Sequence, residues 1–181
     1  MTHYVIYFSE KKTESEPFIR LAAADYTGKN CDYAAILRAE NGKPYFADPG
    51  MPHFSLSHSG NFIVCAVGPA PCGIDIQAHV FPGKSRDPAY LIRLAQRYFH
   101  PDETEQLKNA GDIREQFFHQ WAAKESYVKF TGEGITGKFS SFSTLNPAGI
   151  FPARITKIPL AEGCSTFLCA EGYFEYTIKR I

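Results

Sequence analysis

The chain has 181 residues and a mass of 20.3 kDa, enough for one domain burying roughly 70% of its unfolded surface. With 44% hydrophobic and 21% charged residues, including 15 Phe and 10 Tyr, it falls outside the disordered and fibrous classes. Nineteen Lys and Arg balance nineteen Asp and Glu, so no global positive field exists to hold nucleic acid or an anionic membrane surface.

The N-terminus lacks a cationic start followed by an apolar run, and no stretch reaches ~18 apolar residues, so a soluble, cytoplasmic protein is expected. Five cysteines at 31, 65, 72, 164 and 169, with no C-x-x-C pair, read as reduced thiols and offer no zinc spacing.

In chain order, residues 4–8 are aromatic and β-branched and predict a strand. Glu16 to Tyr26, with Phe18, Ile19, Leu21 and an Ala run, predict a helix ending at Gly28. Residues 34–46 read as extended around the turn Asn41-Gly42. Pro and Gly concentrate around 42–52, 68–73 and 82–88, which read as turns within one fold. Asn61 to Gln77 predict a hairpin, with Phe-Ile-Val-Cys-Ala-Val and Cys-Gly-Ile-Asp-Ile joined through Gly68-Pro-Ala-Pro71.

From Asp87 to Phe130 the spacing becomes helical, with a break at Pro101, and predicts two or three helices. Beyond Gly132-Glu-Gly134 alternation returns through Phe139–Leu145, Ile150–Ile158 and a terminal pair, 165–170 and 173–180, joined at Glu171-Gly172. Strands, then helices, then strands predict an α+β fold.

Several residues could carry chemistry. Asp75 and Gln77, two apart on a strand, share one face while Ile74 and Ile76 share the other. Glu125 and Lys129 lie at i and i+4 on the helix that carries Trp121; an exposed ion pair worth ~0.3–0.5 kcal/mol explains that spacing equally well, and Trp121 reads as a core anchor. Ser57-His-Ser-Gly60 is rich in phosphate donors but has no P-loop spacing, so a hydrogen-bonded turn is the plainer reading. Gly42-Lys43-Pro44 alone means only a turn.

Taken in order, Gly42-Lys-Pro44, Ser57-His-Ser59, Cys72-Gly-Ile-Asp-Ile-Gln77 and Trp121-Ala-Ala-Lys-Glu-Ser-Tyr-Val-Lys129 resemble the 4′-phosphopantetheinyl transferases of the larger, surfactin-synthetase-activating type. That family carries Gly-Lys-Pro, Ser-His-Ser, Gly-Ile-Asp-Ile-Glu and Trp-x-x-Lys-Glu-Ser-x-x-Lys, and the resemblance covers roughly residues 41–145. It implies two similar α+β halves related by a pseudo-twofold, within a single domain spanning 1–181. Residues 1–70 would form a shortened first half, and 71–181 would carry the metal site and the site helix.

The implied activity is Mg²⁺-dependent transfer of the phosphopantetheine arm of coenzyme A to a serine of an apo acyl or peptidyl carrier protein, releasing 3′,5′-ADP. By similarity, Asp75 and Glu125, with the Gln77 carbonyl, hold Mg²⁺, whose preference for hard oxygens they suit. Glu125, directly or through water, is the base for the carrier serine, and Glu103 matches a further acid near the metal that holds a water. Lys129 meets the leaving phosphate. Ser57 and His58 grip coenzyme A phosphates, Lys43 lies by the adenine, and Arg20 is the match for the 3′-phosphate. The exposed faces around 100–120, with Arg114, Phe117 and Phe118, are expected to dock the carrier. A monomer without nucleic-acid or membrane partners is expected.

Two departures stand out. Gln77 replaces the family's second acid, and losing one charge ~4 Å from the metal forfeits roughly 4 kcal/mol at an effective dielectric of 20 before hydration offsets much of it, so weaker Mg²⁺ binding is predicted. The first half is also some tens of residues short. Two other readings stay open: a non-catalytic relative that binds a carrier or coenzyme A, and a metal-dependent phosphohydrolase using the same carboxylates on water.

Overall fold

The computed structural model describes residues 1–11, 13–80, 87–134 and 139–181. In chain order its elements are β1 (Thr2–Ser9), α1 (Ser15–Thr27), β2 (Ile36–Arg38), β3 (Pro44–Phe46), β4 (His53–Ser59), β5 (Phe62–Gly68), β6 (Cys72–Ala78), α2 (Pro88–Tyr98), α3 (Pro101–Lys108), α4 (Ile113–Thr131), β7 (Ala153–Lys157), β8 (Cys164–Glu171) and β9 (Phe174–Arg180). The α+β class expected from the element order is observed.

Alternation in β1 builds the layers. Tyr4, Ile6 and Phe8 face one way and Tyr7 the other, as a period of two requires. β1 lies within a four-stranded sheet of order β4-β5-β1-β9. On its Tyr7 face, α1 packs Phe18, Ile19, Ala22 and Ala23. On the other face, Tyr4, Ile6 and Phe8 meet Ile74, Ile76 and Leu168 of a three-stranded antiparallel sheet, β6-β8-β7. β5 is sandwiched between these layers, which explains its unbroken apolar run. α4 lies across β6 and β8, giving a second sheet-and-helix half; α2 and α3 close a third core against it through Leu91, Leu107 and Phe117.

Local signals set the helix ends. α1 stops at Gly28, whose φ of 67° lets its N–H reach Ala24 O. The Asp112 carboxylate caps α4 by accepting from the N–H groups of Arg114 and Glu115.

Strand pairing departs from expectation in two places. β5 does not form its ladder with β6. It pairs with β4 through the two-residue turn at Gly60-Asn61, where Gly60 has φ 61°, while Gly68-Pro-Ala-Pro71 carries the chain into the second sheet. Two prolines without N–H groups suit that crossing. The Tyr4 ring occupies the space a Cβ on Gly68 would need, and its hydroxyl donates to Pro71 O.

Likewise β8 and β9 do not form a hairpin. β8 already has β6 and β7 on its two sides, and β9 crosses to pair in parallel with the free edge of β1, Thr2 opposite Phe174. Residues 139–145 are irregular, not extended, because their polar groups serve the α3–α4 junction. The turn read at 82–88 lies, apart from its last two residues, outside the described residues.

Candidate active site

The site is assembled by a close approach. Gly73 on β6 lies directly beneath α4, and a Cβ there would overlap Ser126 O and the Phe130 backbone N. The absent side chain brings the helix face bearing Glu125 and Lys129 against the strand bearing Asp75. Asp75 and Gln77 do share one face of β6, with Ile74 and Ile76 in the core on the other.

Asp75 is only 2% exposed, and its carboxylate is held from three sides. Oδ1 accepts from Ser57 Oγ at 2.7 Å and from Lys129 Nζ at 2.7 Å, while Oδ2 accepts from Gln77 Nε2 at 2.8 Å. Glu125, also buried, faces the same cleft; burial, then the Asp75 charge, push its pKa up to about 7 against the opposing pull of Lys129.

A cleft of about 390 Å³ is lined by Ser57, His58, Asp75, Gln77, Glu125 and Lys129, together with Arg38 and Glu16. A second recess of about 240 Å³ shares Glu125 and Lys129 with it and is lined by Lys43 and Phe54. A recess of about 480 Å³ beside Phe8, Phe18 and Ile181 contains none of these site residues.

The serine run has a role not visible in the sequence. Ser55, Ser57 and Ser59 alternate along β4 and face β6: Ser55 Oγ and Ser59 Oγ accept from the N–H groups of Ile74 and Ala78, both at 3.0 Å, and Ser57 holds Asp75. Three hydroxyls thus join the two sheets where no backbone ladder does, and the Ser57 hydroxyl is engaged by a carboxylate. His58, one residue out of phase, is exposed at the cleft.

Lys43 Nζ donates to Cys72 O at 3.1 Å and Lys129 O at 2.6 Å, tying the start of β6 to the end of α4, and burial lowers its pKa. Arg20 does not line the cleft; its guanidinium donates to Cys31 O and Ala34 O and reaches Glu16 at 3.5 Å. Arg38 lines the cleft and was missed, because one arginine in an exposed hairpin carries no local signal.

Two expectations are corrected. Glu103 is fully buried and away from the cleft. Its four acceptor positions are filled by the N–H of His100, Lys124 Nζ, and the N–H and hydroxyl of Thr144, at 2.7–3.0 Å. Such a carboxylate has no lone pair left for a metal-bound water. Phe117 and Phe118 are not exposed docking residues either: Phe117 stacks on Phe99 and Phe118 on His79 within the core. Trp121 is the core anchor expected, packed among Tyr98, Phe117 and Phe139.

The sequence model of the 4′-phosphopantetheinyl transferase superfamily matches residues 71–173, from the start of β6 nearly to β9. The chain belongs to this superfamily. A 4′-phosphopantetheinyl transferase of Bacillus subtilis is 40% identical over 129 residues, 69% of this chain and 53% of that one. The transferase psf-1 of Bacillus pumilus is 42% identical over 105 residues, 57% of this chain and 42% of its own length. The crystal structure of Thermotoga maritima holo-[acyl-carrier-protein] synthase is 19% identical, with a TM-score of 0.43 over 57% of this chain and 63% of that one. The chain spans about half the length of the curated relatives it matches. The superfamily match takes in the whole of β6 and α4, the elements that carry Asp75, Glu125 and Lys129.

Proposed function

We propose that this chain transfers the phosphopantetheine arm of coenzyme A to the serine hydroxyl of an apo carrier protein and releases 3′,5′-ADP. The observation that carries the reading is the meeting of Asp75, Glu125 and Lys129 at one cleft, on the elements the superfamily match covers.

The residues suit a divalent cation. Among the described residues no group of three or more His, Cys, Asp or Glu side chains is placed to hold a metal, but two carboxylates line one cleft beside Gln77, whose amide nitrogen donates to Asp75 and whose amide would turn to offer its oxygen. Mg²⁺ is commonly held by one or two carboxylates with water and substrate phosphates completing its shell. Burial, and after it the neighbouring Asp75 charge, push the Glu125 pKa up to about 7, and a bound cation would relieve both. Bound by Asp75, Glu125 and Gln77, the cation would neutralise pyrophosphate charge.

The chain's own residues supply the rest. Glu125, directly or through one water, takes the proton of the attacking serine hydroxyl. The new bond joins that oxygen to the phosphorus bearing the pantetheine arm, and the pyrophosphate P–O bond on the nucleotide side breaks. Lys129 meets the charge developing on the departing phosphate. His58 and Arg38, at the cleft, are placed for further phosphate oxygens, while Lys43 acts by holding α4 to β6. Phe117 and Phe118 being buried, the carrier is met by other surfaces near the cleft, with Arg114 half-buried beside them. Among the described residues no helix is long and apolar enough to cross a membrane, and a cytoplasmic monomer is the proposed setting.

Incubation with coenzyme A, Mg²⁺ and an apo carrier, followed by intact mass spectrometry, tests this. The expected result is a gain of ~340 Da on the carrier serine, absent with Glu125→Gln. Gln77 favours one other reading, a relative that binds without transfer; it predicts coenzyme A binding and no mass gain on any carrier.

A further inference from the structure

The ammonium of Lys129 occupies a cation's position. Its three N–H bonds meet three oxygens: Asp75 Oδ1 at 2.7 Å, Ile74 O at 3.2 Å and Leu56 O at 3.4 Å. The side chain is 29% exposed while Asp75 is 2% exposed, so the lysine forms the lid over a buried carboxylate on its solvent side. Ser57 and Gln77 occupy the other approaches to that carboxylate. Of these three side-chain partners, Lys129 has the longest and most flexible chain and reaches solvent, so it is the one best placed to leave Asp75. Its backbone stays in place because Lys43 holds Lys129 O.

Charge arithmetic makes coexistence costly. With Asp75 and Glu125 ionised and Lys129 present, the site carries one negative charge, because position 77 is a neutral amide. A divalent cation added to that set overshoots to positive, whereas one that replaces the ammonium leaves the set neutral. Two cations sharing Asp75 Oδ1 would also stand only a few ångströms apart.

We infer that Lys129 is the resident counter-ion of the substrate-free site, and that a divalent cation enters by displacing it from Asp75. Metal entry and release of the ammonium into the cleft are then one event, and the freed amine faces the phosphates of the incoming substrate. This rests on the metal reading proposed above, and the substitution of Gln77 for an acid makes the exchange obligatory in this chain.

Two measurements on the substrate-free protein at about pH 8, where Glu125 is ionised, test it. In the first, Mn²⁺ is titrated calorimetrically into wild type, Lys129→Met and Asp75→Asn, with circular dichroism as the check on folding. Lys129→Met is expected to bind Mn²⁺ about tenfold more tightly than wild type, and Asp75→Asn to lose binding. In the second, wild type is labelled with an amine-reactive ester and Lys129 modification is followed by peptide mass spectrometry as Mn²⁺ is added. Labelling of Lys129 is expected to rise along the binding isotherm, whether or not the Met variant folds. In Gln77→Glu, where the added charge lets both cations stay, labelling is expected to be flat. If wild type binds Mn²⁺ but Lys129→Met binds no more tightly and labelling does not rise, the exchange is wrong and the metal reading stands. If no variant binds Mn²⁺, the metal reading falls and the exchange with it.

Discussion

Helix α4 carries two lysines, five residues apart, that each meet a buried carboxylate, and the two pairs differ in what surrounds them. Lys124 and Glu103 are both fully buried at 2.7 Å; the lysine also donates to Phe142 O and lies 4.0 Å from the centre of the Phe142 ring, and the glutamate has no lone pair left over. Lys129 and Asp75 are equally close, but the pair opens onto a cleft and has Glu125 beside it. A saturated pair fixes geometry, and an open pair can exchange partners. The first ties α3, α4 and residues 142–144 into a platform, and the second opens onto the cleft where transfer is proposed.

The sharpest way to break this contrast is to remove each lysine separately. Lys124→Met leaves a buried carboxylate without its cation and is expected to cost about 3–5 kcal/mol, seen as a large fall in the denaturant midpoint. Lys129→Met leaves Asp75 held by Ser57 and Gln77 at the edge of the cleft, so it is expected to cost less than Lys124→Met, about 1–3 kcal/mol, while transfer falls about 10²–10³-fold. Comparable unfolding costs for the two would erase the distinction.

Gly73→Ala tests the platform from beneath. Forcing a methyl between β6 and α4 is expected to cost about 1–3 kcal/mol and to lower transfer about 10²-fold by displacing Glu125 and Lys129 from Asp75. A variant that loses stability but transfers normally would dissociate that approach from the chemistry.

A pH series sharpens the open pair. Glu125 holds its proton in the folded state up to about pH 7, against 4.5 ordinarily, so the native state binds the extra proton and stability falls as pH rises through that window. Without metal or substrate, Glu125→Gln is expected to be more stable than wild type by about 1–3 kcal/mol above pH 7, with the gain vanishing towards pH 4.5. Thermal unfolding at several pH values measures it. Metal affinity of wild type is expected to rise over the same interval. The smallest effect concerns Gln77→Glu, expected to lower the Mg²⁺ concentration for half-maximal transfer about tenfold; an unchanged value would show that the amide oxygen already serves as well.

What could be read from the sequence was what local chemistry decides. Strand β1, helix α1 with its Gly28 stop, the shared face of Asp75 and Gln77, and the placing of Glu125 and Lys129 one turn apart all follow from period, caps and turn residues. Pairing did not follow. β5 looks like half of a hairpin with β6 because hairpins are the cheapest local solution, yet a proline-bearing crossover and a Tyr4 ring in the space beside Gly68 send the next strand to another sheet. Ser57 reads as a phosphate donor because a hydroxyl suits a phosphate and a carboxylate equally, and only the adjacency of β4 and β6 decides which it meets. Glu103 matched a metal-site acid by motif, while Thr144, forty-one residues away, fills its lone pairs. Lys43 looked like a ligand contact, and two backbone carbonyls from distant elements claim it.

The crossing of β9 to β1 has a consequence for how the chain emerges from a ribosome. Thr2 finds its partner in Phe174, so at ~5–20 residues per second a nascent chain waits roughly 10–30 s with one side of β1 unpaired. The first half can collapse on α1 during that time, but its sheet is not closed until the second half has been translated. Folding is thereby made to depend on contacts of the longest sequence separation in the molecule, the kind that slows folding most. Truncation before residue 174 is expected to leave a sticky nascent edge more harmful than the small area of β9 suggests.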